Sequence, residues 1–398
     1  MSPKRIRVAE LVNGFAVESA GGGAARFGIS LTQQLNKDLF EGIIVGLWDF
    51  GNAFEKQRIN ELARQGIQTF VASAWKEQKP YLSFISAFWK LRGEFSNHPV
   101  DILHSHSEFG DIAAMLIKIL RWRTVIIRTS HGGHNVEWEK RPLRRFLLTN
   151  LLYPIIFDLE IGINQATTDY LNQRWITKKF GKRVIRIPNA LDLSRFTNDT
   201  YLKSTKKEEL GIPDDRFVIG SVGRLTEQKG FTYLLEAFDK AFRRNPKLFL
   251  LIVGEGELRD ELQRTAKQLG IADHLFMSGA RVDIEEIYSC FDIFVNSSLW
   301  EGVPTVVLEC MAAGVPIIAT DIPGNREVLS NQVNGILVPI RDIEKMALAI
   351  EDLYFNPMLR KNMVEKGRET IESFRIDTIA KQHEELYQKI YSHPSNPT

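Results

Sequence analysis

Twice along the chain, short runs of β-branched and apolar residues alternate with segments of helix length, and this rhythm limits the possible folds more than any other feature. In the first half "RIRVAEL", "GIIVGLW", "IQTFVAS", "DILHSH", "TVIIRTS", "LEIGIN" and "RVIRIP" read as strands, with amphipathic stretches such as "EKQRINELARQG" between them. From residue 217 the rhythm restarts with "FVIGSVG", "LFLLIVG", "HLFMSG", "DIFVNS", "PIIAT" and "GILVP". Strands separated by helix-length connections pair in parallel through right-handed crossovers. The spacing therefore predicts an α/β protein of two doubly wound, Rossmann-like domains facing an interdomain cleft, with ligands outside the carboxyl ends of the strands. The polar segment 191–215, poor in periodic pattern, reads as the interdomain connection. The expected boundaries are 1–191 and 192–372, followed by a C-terminal helix at 373–398 that packs back toward the N-terminal domain. There is no internal sequence repeat.

Composition narrows the function. A chain of 398 residues exceeds the usual size of one hydrophobic core, which agrees with two domains. Lys plus Arg (51) nearly balance Asp plus Glu (49), so the net charge of +2 gives no case for a nucleic-acid partner. Two cysteines, Cys290 and Cys310, cannot build a disulfide framework or a full zinc site, and a reducing cytoplasm fits them. Glu10 and Asn13 interrupt the first apolar run, against a signal peptide. The basic and apolar stretch "KRPLRRFLLTNLLYPIIF" is too short to span a bilayer and reads either as a membrane-surface helix or as a core helix with a cationic start. The aromatics of "YLSFISAFWKL" read as core. Oligomeric state is not legible.

Several stretches could carry chemistry. In "SLWEGVPTVVLECMAAGVPIIAT" Glu301 falls on a loop after a strand, Pro304 opens a helix, Gly314 stops it, and Glu309 lies within it. The free amides of that helix's first turn favour an anion such as phosphate. A Glu on such a loop more often caps a helix or stays solvated, but a buried unpaired Glu309 is costly. In "GSVGRLTEQKG" Arg224 and Lys229 sit at the carboxyl end of a strand, a fork and a point charge suited to a diphosphate. "VGEGE" places Gly254 in a further turn. Gly21, Gly22 and Gly23 stand directly before a helix, without the G-x-G-x-x-G spacing of a dinucleotide enzyme. His131 and His134 follow the strand "TVIIRTS", while His104 and His106 read as structural. No third ligand at a characteristic spacing supports a metal.

Taken in order, "GSVGRLTEQKG", "LLIVGEGELRDEL", "DIFVNSSLWEGVPTVVLECMAAGVPIIATDIPGNREVL" and "NGILVP" resemble the retaining GT-B glycosyltransferases of family 4, with "GGGAARF", "RTSHG" and "IPNALDLSRF" as shorter matches. The resemblance implies transfer of a sugar from a nucleotide diphosphate sugar, UDP-linked, to an acceptor hydroxyl in glycan, glycolipid or exopolysaccharide synthesis. It implies that Glu301 contacts donor-sugar hydroxyls, Glu309 the ribose, and Arg224 and Lys229 the diphosphate. Gly302, Pro304 and the amides of Thr305 and Val306 complete that site, Gly22 and Gly23 form the glycine loop, and His131 lies near the reacting sugar. No cofactor and no metal are implied, and the chain has no Asp-x-Asp. Attack on the front face implies retention, with the leaving phosphate assisting deprotonation. The family's N-G-x-D is here Asn189, Ala190, Leu191, Asp192. The alternatives are another GT-B enzyme, a phosphorylase or an epimerase, or a sugar-nucleotide binding module. The expected location is the cytoplasm, with contact at the inner face of the membrane left open.

Overall fold

A computed structural model describes residues 4–15, 22–76, 78–120, 123–131, 142–196, 200–281 and 283–392. It divides into two compact units, one of residues 1–190 and 376–398, the other of residues 191–375. In the first unit β1 (Ile6–Val12), β2 (Phe40–Asp49), β3 (Gln68–Ala74), β4 (Ile102–Ser105), β5 (Val125–Ser130), β6 (Leu159–Gly162) and β7 (Ile185–Arg186) form one parallel sheet in the order β3-β2-β1-β4-β5-β6-β7. In the second, β8 (Phe217–Val222), β9 (Leu248–Val253), β10 (Leu275–Gly279), β11 (Ile293–Asn296), β12 (Ile317–Thr320) and β13 (Ile336–Val338) are ordered β10-β9-β8-β11-β12-β13, again parallel. The thirteen strands coincide with the thirteen apolar runs of the sequence. They read as continuous apolar segments because helices cover both faces, as the wholly buried "LFLLIV" of β9 illustrates.

Each sheet reverses its strand order once, between β1 and β4 in the first unit and between β8 and β11 in the second. At such a switch the loops leaving neighbouring strands diverge to opposite faces and open a crevice at the carboxyl ends. Helices hold the loops there. Phe231–Arg244 buries Leu234, Leu235, Phe238 and Ala241 against β8 and β9, a helical stripe of apolar residues. The terminal helix Ile376–Ser392 buries Ile379, Ala380 and Tyr387 with Val8 of β1 and Phe27 in the core of the first unit.

Two expectations need correction. The polar segment 191–215 is not a plain connection: it carries the helix Thr200–Glu209. That helix lacks an apolar stripe because ions dock it, with Lys203 bonded to Asp292 at 2.6 Å and Lys206 to Asp283 at 2.9 Å. The helix Pro80–Asn97, read as core, buries Ser83, Ala87, Leu91 and Phe95 but leaves Leu82, Ile85 and Trp89 exposed. Both cysteines are free and buried.

Candidate functional site

In the second unit the loops leaving β8 and β11 bring three of the expected residues together. Gly223 leaves β8, and its carbonyl approaches Gly254 so closely that a Cβ on Gly254 would lie 1.9 Å from it. With φ at +142°, position 254 is open only to glycine. The loops are further tied by Leu225 N–H to the Glu255 carbonyl at 2.9 Å. This fixes the backbone on which Arg224 stands exposed, with no ion pair among the described residues. A short 3₁₀ turn, Glu227–Lys229, ends at Gly230 in the left-handed conformation (φ +61°), where a Cβ would meet the Ser297 carbonyl at 2.3 Å. This close approach seats Lys229 beside the loop after β11.

There Lys229 Nζ pairs with Glu301 Oε1, and Ser298 Oγ donates to the same oxygen at 2.8 Å. Both side chains are largely shielded from water, at 16% and 11% exposure, which strengthens their interaction over that of a surface pair. Gln228 Nε2 donates to the Trp300 carbonyl at 2.9 Å. Gly324 follows β12, and a Cβ there would lie 2.4 Å from the Gly302 carbonyl, so this glycine closes the other side of the loop. The helix Thr305–Ala312 has Pro304 at its N-cap position. Its first helical hydrogen bond runs from Val307 N–H to the Pro304 carbonyl at 3.1 Å, so the Thr305 and Val306 amides lie ahead of the ladder. Glu309, deeper in the helix, is 2% exposed and accepts from the Tyr288 hydroxyl.

In the first unit Gly22 and Gly23 lie in the first turn of the helix Gly22–Gln34, not ahead of it, while Gly21 and His134 lie outside the described residues. His131 follows β5. The two histidines read as structural, His104 and His106, are the groups wired to it. His106 Nδ1 lies 3.0 Å from His131 Nε2, and His106 Nε2 lies 2.6 Å from Glu10 Oε2. Tyr387 donates to Glu10 Oε1 at 2.9 Å, and its oxygen lies 2.6 Å from His104 Nδ1. His104 Nε2 lies 2.7 Å from the Thr129 hydroxyl. Glu10, His104 and His106 are fully or almost fully buried.

Burial pushes the Glu10 carboxyl up, but the adjoining His104 and His106 outweigh it and hold the carboxyl well below the usual carboxylate range. Burial, with His104 beside it, lowers His106 to about 4. Burial, then His106 and His104, keep His131 well below its ordinary value, against the Asn189 side chain, which favours the charged form. The donor atoms of Glu10, His104 and His106 cluster within 4.8 Å, the one such potential metal group among the described residues. The 2.6 Å separation between His106 and Glu10 is that of a direct hydrogen bond, whereas two such ligands of one tetrahedral zinc, each about 2.0 Å from it, stand roughly 3.3 Å apart. As arranged, the cluster is a hydrogen-bonded network.

Sequence reasoning missed Glu10, Tyr387, Ser298, Gly230 and Gly324. Glu10 carried a signal: like Glu309, it is an acid inside an apolar run.

Two Rossmann-like units, each with its marked loops at the switch of a parallel sheet, define the GT-B class. HepE of Anabaena, in complex with UDP and glucose, matches with a TM-score of 0.79 at 19% identity over 96% of this chain and 100% of that one. Sucrose-phosphate synthase of Thermosynechococcus elongatus matches with a TM-score of 0.79 at 19% identity over 98% and 100%. The Glycosyltransferase Family 4 model matches residues 21–195 and the Glycosyl transferases group 1 model residues 203–370. With the two models together spanning most of the sequence, the chain belongs to the group 1, family 4 glycosyltransferases. The UDP-Gal:alpha-D-GlcNAc-diphosphoundecaprenol alpha-1,3-galactosyltransferase of Escherichia coli is 29% identical over 320 residues, 76% of this chain and 78% of the relative. Phosphatidyl-myo-inositol mannosyltransferase of Mycolicibacterium smegmatis is 27% identical over 306 residues, 76% and 73%.

Proposed function

We propose that the protein transfers a hexosyl or related sugar from a UDP-sugar to an acceptor hydroxyl with retention at the anomeric carbon, in glycan, glycolipid or exopolysaccharide synthesis. The observation that carries this reading is the Lys229–Glu301 pair beside the exposed Arg224, at the switch of the second sheet. The named substrates of the Escherichia coli relative and the UDP held by HepE support the donor class.

In this reading the second unit binds the donor. Arg224, Lys229 and the Thr305 and Val306 amides take the diphosphate, Gly254 and Gly302 give its backbone room, Glu309 meets the ribose, and Glu301 orients the sugar. The bond from the anomeric carbon to the diphosphate oxygen breaks, and the acceptor oxygen bonds to that carbon on the same face. The acceptor's proton passes to the departing phosphate oxygen. Charge grows on the diphosphate as the bond breaks, so the two cations and the helix amides stabilise that state more than the ground state. This assigns the neutralising charge to side chains, with no metal or cofactor in the step. The first unit takes the acceptor.

A thermal-shift panel of nucleoside diphosphates and their sugars tests the donor: stabilisation by UDP-sugars is expected, and stabilisation by no nucleotide rejects the reading. The anomeric configuration of the product, read by NMR, tests retention.

We place the acceptor side of the reaction at a membrane surface. No helix among the described residues is long and apolar enough to cross one. The helices at 142–156 and 175–179 nevertheless expose Leu143, Phe146, Ile155, Trp175 and Phe180. Lys179 lies 4.7 Å over the Trp175 ring, and segments 142–157 and 170–187 contain no Asp or Glu. Arg144 is paired to Glu108. Apolar side chains beside the exposed Lys178 and Lys179 suit an anionic lipid surface. Co-sedimentation with phosphatidylglycerol vesicles but not phosphatidylcholine vesicles is expected, and equal recovery with both rejects it.

A further inference from the structure

The two carboxylate oxygens of Glu301 are used unequally. Oε1 accepts from both Lys229 Nζ and Ser298 Oγ, the latter at 2.8 Å, while Oε2 has no hydrogen-bond partner among the described residues. A ligand acts differently on the two donors. Lys229 is a cation on a flexible stem, and in the proposed reaction the diphosphate draws it away from Glu301. Ser298 is neutral, and its backbone is fastened on both sides. Its N–H donates to Asn296 Oδ1 at 3.1 Å, and its carbonyl accepts from the Thr320 hydroxyl. Thr320 is held in turn through its own carbonyl, to which Asn325 Nδ2 donates at 2.7 Å. Ser298, Thr320 and Asn325 are all buried, so water does not compete for this brace between the loop after β11 and the end of β12.

We infer that Ser298 is a positioning residue: its hydroxyl keeps Oε1 of Glu301 engaged when Lys229 turns to the diphosphate, and so keeps Oε2 in place as the acceptor for a hydroxyl of the donor sugar. This rests on the reading that Glu301 orients the sugar. Without Ser298, departure of Lys229 would leave the shielded carboxylate with no donor among the described residues and free to turn about its side-chain torsions. Each bound sugar would then have to select the orientation of its acceptor, at a cost in affinity that a carboxylate anchored beforehand avoids.

Isothermal titration of the whole protein with UDP and with UDP-glucose or UDP-galactose tests this in a double-mutant cycle. Ser298→Ala is expected to weaken the UDP-sugar about three- to tenfold while UDP stays within about twofold of the wild type. Ser298→Cys fills nearly the same space with a poor donor and should weaken the UDP-sugar as alanine does, which a space-filling role would not produce. In the Glu301→Ala background Ser298→Ala should cost the UDP-sugar less than about twofold, because the group it positions is gone. An equal cost in both backgrounds, or an equal loss of UDP and UDP-sugar in Ser298→Ala, overturns the proposal. If Glu301→Ala lowers UDP-sugar affinity relative to UDP while Ser298→Ala does not, the positioning role is wrong and the reading of Glu301 stands. If Glu301→Ala binds the two ligands in the wild-type ratio, that reading fails and the proposal with it.

Discussion

Lys229 and Glu301, 72 positions apart, form an ion pair in which Ser298 shares the same carboxylate oxygen. A diphosphate arriving at Lys229 must compete with that carboxylate. Glu301→Gln is therefore expected to bind UDP as tightly as the wild type or several-fold more tightly, and to bind UDP-sugar more weakly. Isothermal titration of both ligands checks this, and parallel losses for the two would remove Glu301 from the sugar.

Arg224 stands exposed on a rigid loop, so its removal should not disturb folding. Arg224→Ala should weaken UDP about 10- to 100-fold, the loss of one or two charge-assisted hydrogen bonds of roughly 1.5–3 kcal/mol. The melting temperature without ligand should stay within a degree or two of the wild type.

Gly254 offers the opposite test. A Cβ placed 1.9 Å from the Gly223 carbonyl at φ +142° cannot be accommodated without parting the two loops. Gly254→Ala is expected to cost ~3 kcal/mol or more and to lower UDP affinity together with stability, as denaturation and titration would show.

Glu309 is held by Tyr288 within the helix, 2% exposed. With its proposed role at the ribose, Glu309→Gln should weaken UDP while leaving inorganic pyrophosphate unaffected. A matched loss for both would move its effect from ligand contact to packing.

The buried histidines set a direction for pH. His106 falls from 6.5 to about 4 on folding, so between these values the unfolded chain binds more protons. Stability contributed by neutral His106 is full above pH 6.5 and is lost as pH falls toward 4. The lowered Glu10 acts in the same sense at lower pH, full above about 4.5 and lost below. The melting temperature should therefore drop on acidification from pH 7 to 4, and His106→Gln should flatten that slope. A wild-type profile level across this range would show that His106 does not change its proton affinity on folding.

Periodicity made the strands legible because each parallel strand is buried on both faces and so is written as an unbroken apolar run. Glycine and proline marked the loops: Gly254 and Gly314 take positive φ, and Pro304 stands at the N-cap of its helix. The helix Thr200–Glu209 was not legible, because Lys203 and Lys206 dock it through acids at 292 and 283, and ion pairs leave no periodic trace. The exposed face of Pro80–Asn97 was misread for a related reason: an aromatic run has the same letters whether it faces core or solvent.

The amino-acid sequence by itself determined two parallel α/β units and marked Glu301, Glu309, Arg224 and Lys229 as candidates, since all of these depend on local spacing. Only the tertiary structure decided which groups share protons. Glu10 lies in β1, His106 and His131 just past the carboxyl ends of β4 and β5, and Tyr387 in the last helix, and adjacency across a sheet follows from strand order rather than chain order. The same letters "HSH" therefore read as structural in the chain, but in the sheet they form the link between a buried carboxylate and His131.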